Sequence, residues 1–280
     1  MAPRISFSIL ALALFLAVAS AGIAAAPPKE LSGPFTYYGP KGASKWGSLS
    51  PEYSACSKGK IQSPININRN ETVHNKNLKP LIREYKPANA TLVTNVCNIG
   101  LYYEGDCGRL IMDDKNYTLK KMHWHSPSEH WIDGIRFPLE LHLVHAAENN
   151  ATSVVAVLYQ YGRADPFIAK LKNSLDKLAN EVKVGDQNPH IPLGIVDSKL
   201  VGKKTRKYYR YMGSLTTPPC TENVVWHILG KTRTVTEKQV QTLKAPLGIA
   251  YKVNERPLQA LNGRKVELFK EFQLPKPART

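Results

Sequence analysis

Cysteine, acidic side chains and long apolar runs are all scarce in this chain, and each scarcity narrows what it can be. Only four of the 280 residues are cysteine. None lies near the histidine motifs described below, which excludes a closed, Cys-rich structural metal site there. Asp and Glu number 22 against 38 Lys and Arg, a formal net charge of +16. The basic residues are scattered, and their densest run, residues 199–210, reads as a solvated loop with no nucleic-acid motif beside it. No nucleic-acid partner is therefore expected. Beyond the N-terminus no apolar stretch is long enough to cross a membrane, so no stable membrane span is expected either. Repeats, low-complexity tracts and shifts of composition are also missing, which leaves one large domain.

What is present begins with a leader. Arg4, the apolar run over residues 5–18 and the small residues after it read as a secretory signal over 1–21. Ala19-Ser20-Ala21 fits the small-x-small cleavage pattern and Ala24-Ala25-Ala26 is a second option, so the cut is placed between 21 and 26. The domain is assigned to residues 33–274, and 275–280, with two prolines, to a loose tail. Four Asn-x-Thr sequons agree with secretion, making Asn70, Asn89, Asn116 and Asn150 glycosylation candidates that need surface positions. In an oxidising compartment four cysteines predict at least one disulfide, and all three full pairings stay open.

Short runs rich in β-branched and aromatic residues recur from Pro64 onward, among them TLVTNV, LKKMHWH, LELHLVH, SVVAVLYQYG and VVWHIL. Helical signals are few. Residues 165–182 open on Asp165 and repeat apolar side chains at Phe167, Ile168, Leu171, Leu175 and Leu178. Residues 236–245 give a shorter helix opened by Thr236. The fold class is mainly β (α+β), a single large, mostly antiparallel twisted sheet with a few short surface helices.

The chemistry rests on histidine spacing. In a strand side chains alternate faces, so His123-x-His125 places both imidazoles on one side. His142 shares a face with Glu140 and Val144, opposite Leu141, Leu143 and His145. Asp133-Gly134 between the two strands is a favoured two-residue turn. Pairing these strands brings three imidazoles together without a cysteine, the donor set of a zinc site with one coordination position open. His130 and His145 read as hydrogen-bonded core residues. Glu140 is placed to accept the outer N–H of His142.

The motifs FTYYGPKGASKWGSL, GKIQSPINI, MHWHSPSEH, RFPLELHLVH, GSLTTPPCTENVVWHIL and RPLQALNGR together resemble the alpha class of carbonic anhydrases, in particular its secreted plant branch. The resemblance covers nearly all of the chain after the leader. It implies Zn2+ held by His123, His125 and His142, and reversible hydration of carbon dioxide to bicarbonate and a proton through zinc-bound hydroxide. Thr216 is similar to the residue that holds that hydroxide, and Glu129 to the acceptor of the Thr216 hydroxyl. Thr217 falls at the substrate position, and Val144, Val157, Leu215, Val224 and Trp226 along the apolar wall where carbon dioxide rests. Tyr38 matches a tyrosine of the cleft's water network. Cys56 and Cys220 match the disulfide of secreted members. The small-molecule substrate is the implied partner, with a monomer or weak dimer as the assembly. The implied destination is extracellular or apoplastic, or the chloroplast through the secretory route.

Two positions depart from that pattern. Lys121 shares the face of His123 and His125 where the family usually places a glutamine, and lysine has no acceptor for a ligand N–H. Cys97 occupies the place of the family's proton-shuttling histidine, and a thiol is a poor shuttle near neutral pH. His74 is the one alternative shuttle considered. A second disulfide between Cys97 and Cys107 is not expected, because a hairpin turning at Glu104-Gly105-Asp106 would hold them at different heights. Competing readings are a weakly active or inactive storage or defence protein, as in the dioscorins of plant tubers, and a catalytically silent binding module.

Overall fold

The computed structural model describes residues 33–95, 97–186, 188–201 and 205–271. The leader assigned to 1–21 and the tail assigned to 275–280 lie outside the described residues. A thirteen-stranded sheet dominates. Its strands include β1 (Ala88–Thr94), β2 (Ile99–Tyr103), β3 (Gly108–Met112), β4 (Lys115–His125), β5 (Leu139–Ala146), β6 (Thr152–Tyr161), β7 (His190–Val196), β8 (Lys207–Ser214), β9 (Glu222–Leu229) and β10 (Glu267–Lys270). Across the sheet they run β7-β1-β2-β4-β5-β6-β9-β8-β10 and end on the short strand Val73–His74. Most pairs are antiparallel, while β6 with β9 and β10 with Val73–His74 are parallel. The fold class read from the sequence is the one observed.

The pattern of apolar residues divides the interior into two packed layers. Met122 and Trp124 of β4, Leu141 and Leu143 of β5, and Val155 and Val157 of β6 belong to the larger core. Helix α1 (Pro166–Lys183) seals that face with Phe167, Ile168, Leu171, Leu175 and Leu178, and Phe167 stacks on Trp124 with centroids 6.3 Å apart. Its start is fixed by Asp165, whose carboxylate accepts from Phe167 N at 2.8 Å and Ile168 N at 3.0 Å. Helix α2 (Glu237–Lys244) opens on a capping box between Thr236 and Gln239 and adds Val240 and Leu243 to the same core. Burying one such Leu or Phe contributes about 1.5–3 kcal/mol. The other face carries a smaller core of Ile65, Ile67, Val154, Ala156, Leu158, Tyr209, Tyr211, Val224, Trp226 and Ile228.

Two local expectations are corrected. Asp133-Gly134 does form a two-residue turn, with φ of 51° and 76°. It closes a separate small hairpin, Trp131–Ile132 with Ile135–Arg136, because β4 and β5 pair through a longer connection that carries this hairpin as an excursion. Nor do β2 and β3 form a hairpin at Glu104-Gly105-Asp106. Both pair antiparallel with β4, β2 over residues 121–124 and β3 over 115–118, so the chain continues in one direction past that bend. Cys97 and Cys107 are thereby held apart along the sheet, and both are free thiols.

Candidate metal centre

The register of β4 against β5 builds the centre. His142 lies opposite His123, Glu140 opposite His125 and Val144 opposite Lys121, so all six share the face that carries the smaller core. The rings of His123, His125 and His142 have centroids 5.0, 5.0 and 4.7 Å apart. One nitrogen from each falls in a group whose members lie within 4.8 Å of one another.

Hydrogen bonds settle which nitrogens face inward. His125 Nδ1 donates to the Asn254 carbonyl at 2.7 Å, leaving Nε2 with a lone pair and no partner among the described residues. His142 Nε2 donates to Glu140 Oε1 at 2.7 Å, leaving Nδ1 free. That Nδ1 stands 3.3 Å from His123 Nε2. Two tetrahedral Zn–N bonds of about 2.05 Å separate their nitrogens by about 3.3 Å, so the donor set fits zinc in type and spacing. Burial, the main cause, holds His123 well below its ordinary pKa, lowers His125 to about 4 and lowers His142. All three are thus neutral, as metal ligation requires.

Carboxylates and their partners hold these rings. Burial alone would raise the Glu140 pKa, but His130 and His142 outweigh it and keep the group ionised. Glu140 Oε1 also accepts from His130 Nδ1 at 2.6 Å. Tyr211 donates to His130 Nε2 at 2.7 Å, and Ser63 Oγ lies 2.7 Å from the same phenol. Glu129 is fully buried, and burial pushes its pKa up to about 7 against the pull of His142, Thr216 and the Arg256 N–H. Its Oε1 accepts from Arg256 N at 3.0 Å, while Oε2 stands 3.5 Å from His125 Nε2. Thr216 is buried beside it and Thr217 is partly exposed.

Sequence reasoning missed the segment that ties this together. Asn254 accepts from His125 with its carbonyl and donates with its side chain to the Cys97 carbonyl at 2.9 Å. The Arg256 guanidinium donates to Gln62 Oε1, the Ser63 carbonyl and the Cys56 carbonyl. RPLQALNGR opens on Arg256 but leaves out Asn254, and no spacing rule links either residue to histidines over a hundred residues away. Cys56 and Cys220 form a disulfide with Cα atoms 5.0 Å apart, fastening the N-terminal segment beside Thr216 and Thr217.

Val144, Leu215, Val224 and Trp226 all meet at the smaller core, and the Trp226 and His142 rings lie 4.8 Å apart. Val157 does not join them. It pairs with Leu141 and faces the larger core, whereas Val154, three residues earlier and directly opposite Val144, faces the site. An odd offset along a strand reverses the face. Tyr38 is likewise misplaced by one residue. It is 58 % exposed and donates to Glu255 Oε1 at 3.3 Å. Tyr37 is the buried tyrosine, and burial together with the charges of Cys97, Glu129 and Glu255 raises its pKa well above the ordinary value.

Lys121 is partly buried, with its ammonium 5.5 Å from the centroid of the Tyr102 ring. His123 Nδ1, the atom a glutamine would serve, is buried without a partner among the described residues. Cys97 is partly buried, and burial pushes its thiol up to about 12. His74 sits at the far edge of the sheet, on the strand beside β10. Five strand spacings of about 4.8 Å from β5 rule it out as a shuttle. All four sequon asparagines are exposed. No helix among the described residues is long and apolar enough to cross a membrane.

Comparison with known proteins gives this geometry a context. The family profile "Eukaryotic-type carbonic anhydrase" matches residues 41–270. Alpha carbonic anhydrase 7 of Arabidopsis thaliana is 44 % identical over 230 residues, covering 82 % of each chain. Dioscorin dioA3 of Dioscorea japonica is 38 % identical over 234 residues, covering 84 % of each. A crystal structure of dioscorin complexed with ascorbate superposes with a TM-score of 0.82 at 37 % identity, over 86 % of this chain and 99 % of that one. The chain therefore belongs to the eukaryotic-type, alpha-class carbonic anhydrase family.

Proposed function

We propose that the protein catalyses the reversible, zinc-dependent hydration of carbon dioxide to bicarbonate and a proton. The observation that carries this reading is the convergence of three neutral imidazole nitrogens beside a buried Thr216–Glu129 pair. Bound zinc would supply a Lewis acid that lowers the pKa of water to about 7, the value known for carbonic anhydrases themselves. His123 Nε2, His125 Nε2 and His142 Nδ1 would hold it, with Asn254 and Glu140 keeping two of the rings in the required tautomer. Thr216 donates its proton toward Glu129, so its oxygen is left to accept one from the attacking water and to aim that water. Val144, Val154, Leu215, Val224 and Trp226 form an apolar wall suited to a nonpolar gas. Cys97 keeps its proton at neutral pH, so release of the product proton depends on external buffer.

A monomer or weak dimer is proposed as the assembly. Exposed sequons, a disulfide and the leader-like N-terminus support entry into the secretory route, with an extracellular, apoplastic or chloroplast destination. Lys121, Cys97 and the likeness to dioscorin favour one second reading, a weakly active or inactive storage or defence protein on the same fold.

Replacing Thr216 by Ala tests the primary reading. Carbon dioxide hydration is expected to fall about 100-fold, the scale of losing one positioning contact, with zinc content unchanged. Equal rates in the two proteins would remove Thr216 from the reaction.

A further inference from the structure

Of the three outer imidazole nitrogens at the metal centre, one has nothing to bond. His125 donates to Asn254 and His142 donates to Glu140. His123, coordinating through Nε2, must carry its proton on Nδ1, a buried donor without an acceptor among the described residues. A buried N–H left unmade costs about 1–3 kcal/mol.

The side chain two positions earlier on the same face deepens the deficit. Lys121 lies opposite Tyr102 on one side and Val144 on the other. Its ammonium is held against the Tyr102 ring, and no ion pair to it occurs among the described residues. Neither carboxylate of the centre serves His123 Nδ1: Glu140 accepts from His130 and His142, and Glu129 accepts from Arg256 N through Oε1 while its Oε2 lies 3.5 Å from His125 Nε2. Two donors, one of them charged, therefore share one face of β4, and neither has an acceptor among the described residues.

We propose that a small monovalent anion bridges Lys121 Nζ and His123 Nδ1, completing the metal centre from outside its ligand shell. The inference rests on the zinc reading above. It differs from an anion bound on the metal itself: this one accepts the ligand's N–H and offsets the lysine's charge, and so strengthens the metal's hold. A chloride or a carboxylate-like oxyanion, bicarbonate included, satisfies both donors. A neutral water would satisfy the imidazole and leave the charge uncompensated.

The test is zinc affinity by chelator competition, at fixed ionic strength, with perchlorate exchanged for chloride or for formate. The wild type is compared with Lys121→Gln and Lys121→Met, and zinc per chain is measured on each sample. Wild-type affinity should rise about tenfold in chloride, formate or both, at the lower end of the 10–100-fold that a ligand's hydrogen-bond partner typically contributes. Which salt acts tells whether the anion is spherical or an oxyanion. Lys121→Gln should bind zinc more tightly than wild type in perchlorate and lose most of the anion dependence. Lys121→Met should bind weakly in all three salts. An equal anion dependence in wild type and both variants would place the anion on the metal and overturn the proposal. If no form takes up zinc, the zinc reading itself fails and the bridge with it.

Discussion

Acid should destabilise this fold through two buried histidines that take no part in the metal centre. His145 and His227 are fully buried. The Tyr85 hydroxyl lies 2.8 Å from His145 Nε2, and His145 Nδ1 lies 3.3 Å from the Ser153 carbonyl. Ser153 Oγ lies 3.3 Å from His227 Nδ1, and His227 Nε2 has no partner among the described residues. Burial, with Arg83 near the first and Arg210 near the second, lowers both pKa values to about 3 from 6.5. Above pH 6.5 neither the folded nor the unfolded chain binds these protons, and stability is independent of them. Below it the unfolded chain takes up protons that the fold refuses, so stability falls until about pH 3. At pH 5 each histidine should remove about 2 kcal/mol, or about 4 kcal/mol together. Urea denaturation of metal-free protein at pH 7 and pH 5 measures this, with zinc removed so that its loss adds nothing. The double variant His145→Asn, His227→Leu should lose about 4 kcal/mol of that pH dependence, because every other titrating group is common to both proteins. An unchanged difference between pH 7 and pH 5 would refute the reasoning.

Other outcomes follow from the same geometry. Cys97→His should raise turnover at low buffer concentration and leave it unchanged at high buffer, as read by stopped-flow hydration over a buffer series. Wild-type Cys97, held protonated, should resist alkylation at pH 8 in the folded protein and react within minutes in denaturant, as followed by intact mass. Asp165→Ala removes the cap of α1 and strands Arg233, whose guanidinium lies 2.6 Å from that carboxylate. It should lower stability by about 2 kcal/mol, measured by thermal or urea unfolding.

Strand alternation was enough to put His123 and His125 on one face of their strand and His142 on one face with Glu140, because period-2 geometry is local and strict, and pairing of the two strands then joined them. The helices at 165–182 and 236–245 were legible for the same reason: their caps and apolar repeats lie within a few residues. What escaped depends on pairings that no local rule contains. Val157 for Val154 and Tyr38 for Tyr37 are errors of register, where one odd step exchanges interior for exterior. Asn254 and Arg256 reach the site from more than a hundred residues away along the chain, and Asn254 does so largely through its backbone carbonyl, which carries no sequence signature. Glu140 was readable as a partner of His142, but its second bond to His130 required the Ser128–Phe137 turn to be closed, with Phe137 N donating to Ser128 Oγ at 2.9 Å.

The central claim is that three histidines hold one zinc ion on which carbon dioxide hydration depends. Zinc per chain and stopped-flow hydration, measured on the same sample before chelation, after it and after zinc is restored, test this most directly. One zinc per chain, with activity lost on chelation and recovered on restoration, is the predicted result. A fully zinc-loaded protein that hydrates no carbon dioxide at any buffer concentration would contradict the account.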